Sequence, residues 1–294
     1  MAAGERMSLV YSILGISIPF VLAALGGLLS ERAGIVNLAL EGMLLAGAFA
    51  SVAGAFGTGS ASVGLVCGVA AGVALGAVHA WATIQAGADP VVSGIALNLL
   101  ASALTRFLLK VLFDSSSNSP AVVALAGSRS IVTSPILYLT VALVVATALV
   151  VGRTPLGLRI RAAGEEPRAL HALGVSVSRV RWTALVLGGA LAGLGGAWLG
   201  LDNQQFTAEM SGGRGYIAVA AVIVGRWTPV PVALSCLFFG AADAVQITLQ
   251  ARAPQLKSVL MMIPYALTLL VVCGLFGKSR PPAALGRIPG DDER

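Results

Sequence analysis

WTALVLGGALAGLGGAWLGL, the stretch from Trp182 to Leu201, runs for twenty residues without a charge, and six of those residues are glycine. A helix on a water-facing surface needs a polar stripe, and this one has none. About 20 apolar residues at a rise of 1.5 Å each cross the ~30 Å hydrocarbon core of a bilayer. Glycine at this density suits membrane helices, where small residues let backbones approach closely.

Working outward, comparable stretches recur at 8–30, 35–57, 61–84, 90–113, 132–152, 215–227, 229–250 and 258–276. The one at 215–227 is short for a full crossing and reads as a broken or re-entrant helix, a form tolerated where protein or a cavity buries the backbone. The expected fold class is therefore an all-α integral membrane protein, a polytopic helical bundle of about 8–10 transmembrane helices. Residues 1–294 form one transmembrane domain, with no soluble domain interrupting it. The first stretch is a retained span: it is long for a signal peptide, and Leu28-Leu29-Ser30-Glu31 is a poor cleavage site.

Composition agrees. Hydrophobic residues make up 57% of the 294 and charged residues 11%, with a mean hydropathy of +0.89. A soluble domain carries about 25% charged residues. The net charge of +6 is not laid out as a basic stripe with interleaved aromatics, so nucleic acid is excluded as a partner. Cys67, Cys236 and Cys273 all sit in apolar stretches and read as small packing residues, neither a disulfide framework nor a metal set. With two histidines and scattered acids, the chain lacks the clusters that a membrane enzyme needs, and no cofactor is implied.

Arginine sets the orientation. Segment 153–181 holds Arg153, Arg159, Arg161, Arg168, Arg179 and Arg181 against Glu165 and Glu166, and the tail 277–294 holds Lys278, Arg280, Arg287 and Arg294. Both are expected in the cytoplasm. Segments 114–131, whose one basic residue is Arg129, and 202–214, with Asp202, Asn203 and Glu209, fall outside. Nine crossings then put the N-terminus outside.

Within 153–181, Gly164-Glu165-Glu166-Pro167 is expected to open a short helix. Proline suits a first turn and the glutamates suit the positive end of the helix dipole. Arg168 to Leu173 continues it, and Gly174 closes it in a left-handed cap. Such a helix is either a basic anchor on anionic membrane lipid or a docking element for another protein.

At this point the residues resemble a known family. Thr154-Pro155-Leu156-Gly157-Leu158-Arg159-Ile160-Arg161-Ala162-Ala163-Gly164-Glu165-Glu166-Pro167, then Ala169 and Leu173-Gly174-Val175, is similar to the cytoplasmic loop of branched-chain-amino-acid and simple-sugar ABC permeases. Glu166 stands where that family often has Asn. Residues Glu31 to Met43 resemble the second-span signature of the nucleoside branch. Gly215-Tyr216-Ile217-Ala218-Val219-Ala220 with Gly225-Arg226-Trp227 and Pro229, and Ile263-Pro264-Tyr265, match later signatures.

The resemblance implies a multi-pass permease of the bacterial inner membrane, not itself an enzyme. It implies a second, different permease, cytoplasmic ATP-binding subunits and an extracytoplasmic solute-binding protein as partners. It also implies that Gly164, Glu165, Glu166, Pro167, Arg168, Ala169, Leu173 and Gly174 form the element that couples to the ATPase. The solute is a nucleoside or simple sugar, with a branched-chain amino acid as the alternative within the family. A secondary transporter carrying its own ion coupling is the alternative outside it. Gly277-Lys278-Ser279 is not a phosphate loop, because Val272 replaces its first glycine and no strand precedes it.

Ionisable and amide groups inside spans mark either a pathway or a structural hydrogen bond. Asn37 and Glu41, four apart, are expected on one helix face, with Asn98 in mid-span. Arg106 is expected near the outer end of its span, as is Lys110. Asp243 and Gln246 belong to the outer half of theirs, with Asp243 a candidate ion-pair partner for Arg106. His79, Trp182 and Trp227 read as interfacial. A pathway lined this way suits an uncharged polar solute.

Overall fold

A computed structural model describes residues 3–125, 131, 134–270 and 280–287, and their backbone is helical almost throughout. The long helices are α1 (Ala3–Arg32), α2 (Leu40–Thr58), α3 (Ala61–Ala80, continued by a π-turn over Trp81–Gln85), α4 (Pro90–Phe113) and α5 (Pro135–Arg153). Two short helices follow, α6 (Pro155–Glu165) and α7 (Pro167–Ala172), then α8 (Val177–Asp202), the short α9 (Arg214–Val224) and α10 (Pro229–Arg252). The chain ends in α11 (Lys257–Leu260) and α12 (Ile263–Leu270).

Among the described residues, seven helices are long and apolar enough to cross a membrane: α1, α2, α3 with its π-turn, α4, α5, α8 and α10. The stretch expected to be broken is so: α9 has 11 residues, about 16 Å of helix, half of a hydrocarbon core. The last expected span is fragmented into α11 and α12, and its end lies outside the described residues, as do Arg129, Cys273 and Lys278.

Burial sorts hub from wall. Of the most apolar stretch of each helix, 78% of α8 and 72% of α1 are inside the protein, against 22% in α3 and in α5. The charge-free stretch from Trp182 to Leu201 thus belongs to the centre of the bundle. Glycine makes that centre possible. Gly64, Gly68, Gly72 and Gly76 recur every fourth residue along α3, all buried. Gly64 packs on Ser51 and Ala55 of α2, and Gly68, Gly72 and Gly76 meet Gly189 and Gly193 of α8 so closely that a methyl on Gly193 would stand 2.6 Å from the Gly68 carbonyl oxygen. Backbone-to-backbone packing replaces side-chain interdigitation here, as in other small-residue membrane contacts.

Two expectations are corrected by the fold. The span 35–57 begins as helix only at Leu40; Gly34, at φ +92°, ends α1 and the chain stays irregular to Leu38. Asn37 and Glu41 therefore do not share a helix face. In the loop, Gly164 and Glu165 close α6 instead of opening a helix; Glu166, extended at φ −145°, is the kink, and Pro167 starts α7. Gly174 does cap α7, at φ +75°, with its N–H donating to the His171 carbonyl at 2.9 Å.

At the loop end of the bundle, His79 is fully buried between Ser93 Oγ, 3.0 Å from Nδ1, and the Val36 carbonyl, 3.4 Å from Nε2. Trp227 is buried too, and its Nε1 donates to Glu31 Oε2 at 2.5 Å. Neither is an interface anchor: each satisfies a polar tip in the interior, a use as good for these side chains as the headgroup layer. Trp182 remains at the edge, bonded to Gln85 Oε1 at 3.1 Å.

Candidate functional site

The connection from α8 to α9 descends into the bundle without regular structure, which demands partners for its backbone. At the outer end the Ser119 N–H donates to the Phe206 carbonyl at 2.8 Å, and the Ala208 N–H to that of Ser117 at 2.8 Å. Phe206 is fully buried and edge-on to Phe49, with ring centroids 5.1 Å apart. At the inner end Gly212 and Gly213 take φ of +54° and +82°, a left-handed turn that glycine permits at little cost. The Glu41 carboxylate then receives the first donors of α9: Gly213 N–H at 2.8 Å on Oε1 and Gly215 N–H at 2.7 Å on Oε2. A carboxylate at a helix N-terminus satisfies free N–H groups and the dipole together.

Asn98 of α4 brackets the other flank. Its Oδ1 accepts from Gly42 N–H at 2.8 Å, and its Nδ2 donates to the Leu38 carbonyl at 2.8 Å and to the Tyr216 hydroxyl at 3.0 Å. It ties the irregular entry of α2 to α9. Asn37 is fully buried and donates to Ser30 Oγ at 3.1 Å, holding the same entry against α1.

On the opposite side of the α9 tip lies a cavity of about 140 Å³, lined by Phe20, Gly212, Arg214, Ile217, Asp243, Gln246 and Met261. Asp243 and Gln246, three apart on α10, both face this cavity. The partner of Asp243 is Arg214, with Nη2 3.8 Å from Oδ2, not Arg106. Arg106 instead pairs with Glu209 at 3.1 Å, well exposed near the outer end of α4, where Ser102 also donates to Glu209. α4 packs on α2 and α3 whereas α10 packs on α1 and α9, so Arg106 and Asp243 stand on different sides of the bundle. Lys110 pairs with Asp114 at 2.6 Å.

Arg214 also donates to the Met210 and Ser211 carbonyls at 2.9 and 3.2 Å, so it stiffens the tip it stands on. Gln246 is 8% exposed and lines this cavity. The cavity thus offers one cation balanced by one anion, an amide, and the apolar faces of Phe20, Ile217 and Met261. That set suits a neutral molecule with hydroxyl or amide edges and a flat apolar body. Sequence reasoning passed over Arg214; the signal was the run Gly212-Gly213-Arg214-Gly215, turn chemistry and a charge at the mouth of an apolar stretch.

The proposed coupling residues form the loop end. Pro167 and Leu170 are buried beneath α7, whereas Arg168, Ala169 and His171 are exposed and Leu173 is 80% exposed.

Residues 9–272 match the family described as the permease component of branched-chain amino acid transport systems. The chain is 33% identical over 293 residues to the guanosine ABC transporter permease protein NupQ of Bacillus subtilis, covering 91% of this chain and 92% of that protein. It is 33% identical over 305 residues to the nucleoside ABC transporter permease protein NupC of Lactococcus lactis, covering 95% of each. Among solved structures, an inward-facing ABC transporter of metal-chelate type aligns over 90% of this chain and 85% of that one, with a TM-score of 0.53 at 17% identity, a likeness of fold. By the length of these matches, the chain belongs to the branched-chain-amino-acid-type permease family and is a membrane-spanning permease component of an ABC transporter.

Proposed function

We propose that this permease imports a nucleoside, moving it past the tip of α9, with ATP hydrolysed by partner subunits. The observation that carries the solute class is the cavity at that tip. Its charges cancel, its polar lining is the Gln246 amide and the Arg214–Asp243 ion pair, and Phe20 supplies an aromatic face. A phosphate or an inorganic ion would find no net countercharge there. The relatives named for guanosine and nucleoside transport, similar over nine-tenths of the chain, support the same class.

In this reading α7 is the contact for a cytoplasmic ATP-binding subunit, presenting Arg168, Ala169 and Leu173, while Gly164 to Pro167 and Gly174 set its position. A second permease and an extracytoplasmic solute-binding protein complete the system. Segment 153–181 and the tail lie in the cytoplasm.

The test is uptake into proteoliposomes holding the complex assembled with its ATPase, second permease and binding-protein partners. ATP-dependent accumulation of labelled guanosine or uridine, with no comparable uptake of glucose or leucine, is expected. Uptake driven by an ion gradient without ATP would refute the reading in favour of a secondary transporter. ATP-driven uptake of leucine alone would overturn the solute class.

A further inference from the structure

Part of the tail beyond the last span is built into the bundle. Residues 282–285 make a turn closed by the Leu285 N–H on the Pro282 carbonyl at 3.0 Å. Pro282 and Ala284 are buried, Ala284 to 1% exposure. The Ala284 N–H donates to the Gly164 carbonyl at 2.8 Å, and the Ala283 N–H to Glu165 Oε2 at 3.4 Å. Leu285 packs against the main apolar core. The tail therefore satisfies an end carbonyl of α6, one of the groups a helix leaves without an internal partner.

Gly164 is gripped from its other side as well. A methyl there would collide with the Arg32 carbonyl and stand 3.2 Å from the Gly34 nitrogen. The C-terminus of α1 so touched is in turn bonded to the turn between α9 and α10. Arg32 Nε donates to the Trp227 carbonyl at 2.7 Å, and Trp227 Nε1 to Glu31 at 2.5 Å. Arg226 and Trp227 both hold positive φ, 53° and 52°, a conformation that non-glycine residues keep only when their surroundings impose it. Both helices leaving that turn line the cavity. A continuous set of contacts therefore runs from the α6–α7 kink through α1 to the cavity, and the tail turn lies on the outside of its first contact.

We propose that residues 282–285 act as a strap that holds the end of α6 against α1, so that a push on α7 displaces the α9–α10 turn and not the loop alone. Residues 282–285 are positioning residues; they touch no solute. The proposal rests on α7 being the ATPase contact. Without the strap, α6 and α7 swing as a unit around the kink, and hydrolysis continues without movement at the cavity.

The test compares the full chain with chains ending at Arg280 and at Arg287 and with Ala284→Pro, which removes the donor and disfavours the turn at its third position. In proteoliposomes of the assembled complex, the quantity read is solute moved per ATP hydrolysed. The chain ending at Arg280 and Ala284→Pro should lower that ratio at least fivefold, while hydrolysis stays within twofold of the full chain; the chain ending at Arg287 should match it. An unchanged ratio, including a proportionate loss of both activities, assigns the tail to assembly and overturns the proposal. A second measurement needs no partner. In inside-out vesicles, trypsin should cut at Arg161 or Arg168 at least fivefold faster in Ala284→Pro, and equal rates also overturn the strap. Absence of ATP-driven uptake by the full chain would sink the functional reading itself, whatever the trypsin result.

Discussion

Arg214 and Asp243 show how a single ion pair fixes a site inside an apolar bundle. Each side chain is mostly buried, 23% and 17% exposed, so removing one partner strands a charge, at a cost of about 3 kcal/mol. Arg214→Leu and Asp243→Leu should each lower the thermal midpoint of the purified permease and reduce uptake, and the double variant should be less unstable than either. Strictly additive losses in that cycle would mean that the two groups do not interact. Glu41 is the second residue of this kind. Glu41→Gln keeps the size but sets an amide donor against a backbone donor of α9, which costs on the order of 1–3 kcal/mol. A variant with wild-type midpoint and uptake would show that the α9 tip needs no carboxylate.

At the scale of elements, α9 and α7 are the two short helices on which the reading turns. α9 is short because the glycine turn before it starts the helix in mid-bundle, and Glu41, Asn98 and Arg214 stabilise that start. α7 carries its exposed surface, the proposed contact, on the side away from the buried Pro167 and Leu170. Ala169→Glu places a charge on that surface without touching the buried side. Solute uptake should fall at least tenfold while the permease remains in the membrane, and ATPase stimulation by the permease should fall with it. Normal uptake would remove α7 from the contact. The α3–α8 crossing makes a purely structural prediction. Gly193→Val forces backbone apart along a line where no side chain can yield, and overpacking of this kind costs about 1–3 kcal/mol or more. Loss of membrane-inserted protein is the expected readout, and normal abundance with normal stability would contradict the packing described.

For the whole molecule the decisive quantity is which end faces the cytoplasm. The Ala284 N–H on the Gly164 carbonyl places tail and loop at one end of the bundle, and by the excess of arginine in both the proposed function puts that end in the cytoplasm. Ala172, the last residue of α7, is exposed. In a chain whose native cysteines are replaced, Ala172→Cys should react with a membrane-impermeant thiol reagent only after permeabilisation. Ready labelling of intact cells would invert the topology and with it the direction of transport.

The sequence by itself determined the class of the protein, because an apolar run of about twenty residues has one stable solvent, and it carried the loop signature that pointed to the family. It also marked the break at 215–227 by length, and Asp243 with Gln246 by their spacing. What only the tertiary structure decided is which polar groups meet. Period and spacing report neighbours along one helix, whereas ion pairs between helices depend on the rotation and order of the helices, which apolar sequences hardly constrain. That is why Asp243 pairs with Arg214 and not Arg106, why Asn37 lies off the helix that carries Glu41, and why Trp227 and His79 turn inward: each found a buried partner that no linear pattern announces.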